Sequence, residues 1–213
     1  MTEGVTFSII ARDPATGAFG VAVSTAVPCV GAMVPHVRAG VGAIATQSYT
    51  NARLGIDGIK LLEQGRSPEE ALRSLLAEDE QAELRQCAGI DARDRIFAYS
   101  GEKCVDWFGH RPGERYSVQG NMLVGKETID AMAETFEAAN GHLASRLLKA
   151  LEAGQAAGGD VRGRESAALL VAPFMDQYGK IDIRVDLHAD PVAELRRIFD
   201  LMRERYRQSL EQQ

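Results

Sequence analysis

Three cysteines in 213 residues, at Cys29, Cys87 and Cys104, are too few, too widely spaced and odd in number for a disulfide framework. They suit a reducing compartment, and a cytoplasmic location is the expectation. No C-x-x-C or H-x-x-x-H pair accompanies them, so a zinc site has little support and no metal or cofactor is expected. No apolar stretch approaches the length needed to span a bilayer, and the first residues lack a basic segment followed by an apolar one. Basic clusters are also absent, apart from the polar side of the last helical segment. The net charge is −6, which argues against nucleic acid or an anionic membrane as partner and leaves a small molecule as the expected one. Neither a P-loop nor a G-x-S-x-G elbow occurs, and RAGVGAIA places its apolar strand inside the glycine pattern rather than before it, unlike a dinucleotide fingerprint. Low-complexity tracts, repeats and linker-like stretches are missing as well, so the expectation is one domain over residues 1–213.

What is present is apolar material for a core, 45% of the chain, in segments of two periods. Thr6–Arg12 and Phe19–Ser24 flank DPATG, whose Asp, Pro and Gly supply turn chemistry, and they read as a β-hairpin. Val41–Gln47 is a third strand. Asn51–Gln64 precedes a break at Gly65, and SPEEALRSLLAED then opens a helix with Ser67 as N-cap, Pro68 in the first turn and Glu70 completing a capping box. Gln86–Asp91 and Arg95–Ser100 form a second hairpin, and Tyr116–Gly120 a further strand. Lys126–Ala139 and Leu143–Ala153 carry helical periodicity on either side of Asn140 and Gly141. Ser166–Ala172 and Lys180–Val185 return to strand, and Asp190 caps a last helix that starts at Pro191 and runs to about Arg207.

Strands therefore come in groups between pairs of helices, where parallel βαβ units would alternate singly. GVGAIAT and SAALLVA are apolar on both sides, which predicts sheets covered on both faces. The expected fold class is α+β: two mainly antiparallel sheets packed together with helices outside, a four-layer αββα sandwich.

The phrases TFSIIARDP, GVGAIATQ, YSVQGNMLVG, AMAETFEA and GQAAGGDVRGRESAALLV resemble the bacterial family called domain of unknown function 1028, grouped with the amino-terminal-nucleophile (Ntn) hydrolases. The resemblance runs from about Thr6 to the last helix. It implies an Ntn-hydrolase-like fold, in which a Thr, Ser or Cys at the start of the first strand becomes a new amino terminus whose amine activates its own side chain. Thr6 is the matching position. An α-amine has a pKa of roughly 7.7–8.0, so near neutral pH a useful fraction is free to take a proton. Exposing that amine requires removal of residues 1–5.

The remaining candidates follow from the same likeness and from local chemistry. Proteasome-type enzymes place a carboxylate at the end of the second strand, where this chain has Ser24, and a lysine before the third, where MVPHVRAG offers His36 or Arg38. Gln47, at a strand end between glycine-rich and polar segments, is placed to hydrogen-bond substrate, or to cap the helix that follows. Gly120 and Asn121 sit where a strand gives way to a helix, a site for an anionic group or an ordinary turn. In GGDVRGRES, Asp160 and Gly163 match the loop that supports the nucleophile, with Arg162 and Arg164 beside them. An ion-paired structural loop is the alternative. Cys104 with His110, and the alternating Asp182, Arg184, Asp186 and His188, are lesser constellations, the latter read as a charge ladder. A stripe of Leu195, Ile198, Phe199 and Met202 suits either the core or a homo-oligomer contact. The expectation is a hydrolase of an amide or related acyl bond in a small polar metabolite, with an unprocessed, non-catalytic binding or scaffold protein as the alternative.

Overall fold

The structure is a computed structural model that describes residues 6–173 and 180–211. Ten strands form two wholly antiparallel sheets, and five α-helices accompany them among these residues. The strands are β1 (Thr6–Arg12), β2 (Phe19–Thr25), β3 (Pro35–Arg38), β4 (Gly42–Ser48), β5 (Arg85–Asp91), β6 (Ile96–Ser100), β7 (Gly109–Gly113), β8 (Tyr116–Asn121), β9 (Ser166–Ala172) and β10 (Ile181–Val185). The helices are α1 (Ala52–Glu63), α2 (Pro68–Ala77), α3 (Glu127–Ala138), α4 (Leu143–Ala156) and α5 (Pro191–Glu211). The larger sheet runs β10-β9-β2-β1-β8-β7 and the smaller β3-β4-β5-β6.

Local chemistry accounts for most of the elements. DPATG turns the first hairpin through the side chain of Asp13, which accepts from Ala15 N and Thr16 Oγ1, and the register pairs Thr6 with Thr25 and Arg12 with Phe19. Asn51 caps α1 by accepting from Arg53 N. Ser67 and Glu70 form the reciprocal capping box of α2, and Asp190 accepts from Ala193 N ahead of α5.

Side-chain alternation along the strands sorts the apolar residues into three clusters. Ile10, Val21 and Val23 of the larger sheet meet Ala43, Ala45, Ala88 and Ile90 of the smaller one. The opposite face of β1, with Phe7, Ile9 and Ala11, packs with Met132, Leu147, Leu151, Leu195 and Phe199 of α3, α4 and α5. Ile44 and Cys87, on the far side of the smaller sheet, pack with Leu54, Leu62, Leu72 and Leu76 of α1 and α2. The stripe on α5 belongs to this interior: Leu195 and Phe199 are buried, with Ile198 and Met202 packed beside them. No helix of the described residues is long and apolar enough to cross a membrane.

Two strands escape the sequence reading, and both are sheet edges. β3 begins with Pro35, and β7 reads GHRPG. Neither has strand propensity. An edge position tolerates proline, because its missing N–H would otherwise face outward.

Candidate active site

At the Thr6 end of β1 the face between the sheets changes from apolar to polar. Thr6, Ser8, Gln119 and Asn121 from the larger sheet point toward Gln47 and Gln86 of the smaller one, and all six are buried. Burial obliges the amides to find partners, and they largely find one another, with Gln119 Oε1 left unmatched among the described residues. Gln47 Nε2 donates to the Thr6 carbonyl (3.1 Å) and to Gln86 Oε1 (2.8 Å). Asn121 Nδ2 reaches the same two acceptors at 3.4 and 3.1 Å. Ser8 Oγ donates to Gln47 Oε1 and accepts from Gln119 Nε2, both at 2.6 Å. Gln86 Nε2 in turn donates to the Gly120 carbonyl (2.8 Å), the Gly109 carbonyl (3.1 Å) and Ser100 Oγ (2.8 Å). His110 Nδ1 lies 3.0 Å from Ser100 Oγ at the outer end of this chain of bonds.

Thr6 itself is 2% exposed, and its Oγ1 donates to Thr25 Oγ1 at 3.4 Å. Among the described residues no carboxylate, lysine or histidine hydrogen-bonds that hydroxyl. It forms part of the wall of a cavity of about 420 Å³, together with Val27, Pro28, Cys29, Val30, Met33, Val34, Tyr49, Thr50 and Arg85. Three non-glycine residues with positive φ surround this end of the sheets: Cys29 (64°), Ser48 (69°) and Met122 (51°). Such values cost energy for residues bearing a Cβ; Ser48 and Met122 sit where the chain turns off β4 and β8, and Cys29 opens the short turn between β2 and β3.

Arg85 closes the cavity on one side and makes four hydrogen bonds there. Its guanidinium donates to Asp79 Oδ2 (2.8 Å) and Oδ1 (3.1 Å), to Gln81 Oε1 (3.0 Å) and to the Tyr49 carbonyl (2.6 Å). Hydrogen bonding from Arg85 holds the Asp79 carboxyl down at about 2. The role of this pair is to fix the loop that carries Tyr49 and Thr50 against the start of β5.

Of the residues singled out in the sequence, Thr6, Gln47 and Asn121 come together directly. Asp160 stands one step behind them: buried at the entrance to β9, it accepts from Ala26 N (3.0 Å), just beyond Thr25, and from Arg162 N (2.9 Å). Arg162 adds an ion pair to it at 3.4 Å. Gly163 (φ 115°) provides the turn that lets Glu165 N donate to the Thr25 carbonyl, so this loop clasps the end of β2.

Other candidates stand elsewhere. Ser24 shares the helix-side face of β2 with Ala22, and its buried Oγ has no partner among the described residues. His36 points outward onto α1, where a Cβ on Gly55 would lie 1.9 Å from its ring; burial lowers its pKa. Gly120 also faces the helices, against Leu123, and gives the site only its carbonyl. Arg164 pairs with Asp190 at 3.2 Å on the surface. Cys104 donates to the Arg85 carbonyl, Asp182 pairs with Arg184 at 2.9 Å, and β10 ends before Asp186 and His188. Residues 1–5, whose removal a free Thr6 amine requires, lie outside the described residues. No group of acidic, His or Cys side chains suited to a metal occurs among the described residues.

Ser8, Gln86 and Gln119 were not singled out from the sequence. The available signal was period-two polarity in otherwise apolar strands, Thr6 with Ser8 in β1 and Ser117, Gln119 and Asn121 in β8.

A family model described as "Family of unknown function (DUF1028)" matches residues 6–195. The chain belongs to the DUF1028 family. A crystal structure of a DUF1028 protein from Silicibacter pomeroyi is similar to it, with 32% sequence identity and a TM-score of 0.85 over 92% of this chain and 85% of that one. No curated protein matches the chain. The DUF1028 match begins at Thr6 and spans every residue of the amide cluster.

Proposed function

We propose that this DUF1028 protein is an Ntn-type hydrolase of an amide or related acyl bond in a small polar metabolite, with Thr6 as nucleophile after residues 1–5 are removed. The observation that carries the reading is the position of Thr6: head of a central strand, between two sheets, in the wall of a cavity of about 420 Å³. The reading takes the two sheets and their helices as a four-layer αββα sandwich of the Ntn kind. A cavity of this size suits a small metabolite rather than a polymer.

In this scheme the Thr6 amine takes the Oγ1 proton as Oγ1 attacks the substrate carbonyl. The same proton passes to the leaving amine, and water then cleaves the acyl-threonine ester. The amide cluster supplies no base, since Gln and Asn neither gain nor lose protons near neutral pH. Its contribution is positional: two side-chain amides grip the Thr6 carbonyl, so the residue stays in place whether or not a peptide precedes it.

The absence of a base beside Thr6 Oγ1 among the described residues favours a second reading while residues 1–5 remain attached, that of a non-catalytic small-molecule-binding or scaffold protein. Intact-mass measurement of the purified protein separates the two. The hydrolase reading expects a species lacking the first five residues, and Thr6→Ala that is neither trimmed nor active against a panel of small amides. An untrimmed chain that turns over those amides would overturn the free-amine mechanism, and an untrimmed, inactive chain that binds them saturably supports the second reading.

A further inference from the structure

We infer that the opposite end of β1 carries a separate binding site for a small monocarboxylate, built around Arg146. A cavity of about 380 Å³ lies there, lined by Arg12, Pro14, Glu114, Arg115, Tyr116, Phe136, Glu137 and Arg146. Arg12 is six residues along the strand from Thr6, roughly 20 Å at ~3.3 Å per residue, so the two cavities are independent.

Charge pairing in this cavity leaves one cation over. Arg115 is committed to Asp94 (3.0 Å) and Glu114, and Arg12 gives Nη1 to Asp94 at 2.6 Å. Glu137 accepts from Tyr116 Oη and lies 3.8 Å from Arg111. Arg146 has no carboxylate partner among the described residues. Its guanidinium carbon sits 4.3 Å from the centre of the Phe136 ring, and one Nη2–H reaches the Phe136 carbonyl at a long 3.4 Å. The Nε–H of Arg146 is buried without a partner, and so is that of Arg12. Both Nε–H groups are sealed from the cavity, so the donors a ligand can reach are the Nη groups at the tip of Arg146, from which one hydrogen bond, to the Phe136 carbonyl, is made among the described residues.

The acceptor these Nη donors fit is an oxyanion, and the Phe136 ring beside the guanidinium steadies the fork whose paired N–H groups a carboxylate accepts. The walls decide how much charge it carries. Glu114 and Glu137 line the same space and would repel a second negative charge, whereas Pro14, Tyr116 and Phe136 offer apolar contact for the body of a monoanion. A phosphate or a dicarboxylate is thereby disfavoured.

The probe is benzoate, with succinate, inorganic phosphate and chloride as competitors at matched ionic strength, titrated into the full-length protein and followed through backbone amide NMR signals. Benzoate is expected to produce saturable shifts at Phe136, Glu137 and Arg146, and Arg146→Gln to weaken it by about tenfold or more, the loss of a charge-assisted bond. Tighter binding of phosphate or succinate, shifts that never saturate, or an Arg146→Gln variant with wild-type affinity would overturn the inference. Should Arg146→Gln not fold, Arg146→Lys keeps the charge but lacks the paired Nη donors; unaltered benzoate affinity in that variant also overturns it.

Discussion

At the scale of single residues, the amide cluster shows how burial turns ordinary polar side chains into a specific structure. Gln86 bonds to Gln47, Asn121, Ser100 and two backbone carbonyls, so its loss leaves several buried groups unmatched at once. Gln86→Leu is expected to lower stability by roughly 2–4 kcal/mol, more than a single neutral hydrogen bond is worth, and denaturant midpoints measure it. Asp79 behaves differently because it is charged. Its pKa in the folded protein is about 2 against an ordinary 3.8, so the unfolded chain binds the proton more readily. The stabilisation from the Asp79–Arg85 pair is therefore complete above about pH 4 and drains away as pH falls toward 2. Asp79→Asn should flatten the acid limb of a stability-versus-pH curve; an unchanged limb would show that other carboxylates dominate it. The sequence revealed Thr6, Gln47 and Asn121 because they end strands or match a family phrase. It concealed Ser8, Gln86 and Gln119, which acquire meaning only when the second sheet lies opposite.

At the scale of elements, legibility followed local chemistry. The first hairpin, the capping box at Ser67 and the helix pair around Gly141 carry their instructions within a few residues, and each forms where expected. Ser67→Ala should cost about 1 kcal/mol, the usual value of an N-cap. Gly55 in α1 presents opposing terms. Alanine there would gain about 1 kcal/mol of helix propensity, but its Cβ would stand 1.9 Å from His36 Cδ2, an overlap that forces the ring to leave its seat. The steric term should win, with Gly55→Ala destabilising by roughly 1–3 kcal/mol and His36→Ala in the same chain restoring most of the loss. Thermal melts of the two single variants and the double variant decide it. β3 and β7 were illegible for the converse reason. Their residues have no local preference for extension, and only pairing with β4 and β8 makes them strands.

At the scale of the whole molecule, grouped strands and helices in the sequence foretold two antiparallel sheets with helical partners, and the three apolar clusters confirm where each face is buried. The α5 stripe could have served a partner as well as the interior, and its Leu195 and Phe199 lie in the core. Stability should be graded across the sheets, since β1, β2 and β5 are flanked by strands on both sides while β10, β7, β3 and β6 are edges. Amide hydrogen exchange is expected to be slowest in β1, β2 and β5 and fastest in the four edge strands. Equal protection across all ten strands would show instead that the sheets open only together.

The seam of Ser8, Gln47, Gln86, Gln119 and Asn121 contains no group that titrates between strong acid and strong base. Acidification deep enough to protonate Asp79 therefore leaves the two sheets fastened, and a protein taken to pH 2 or below should loosen around its cavity mouth well before its layers part.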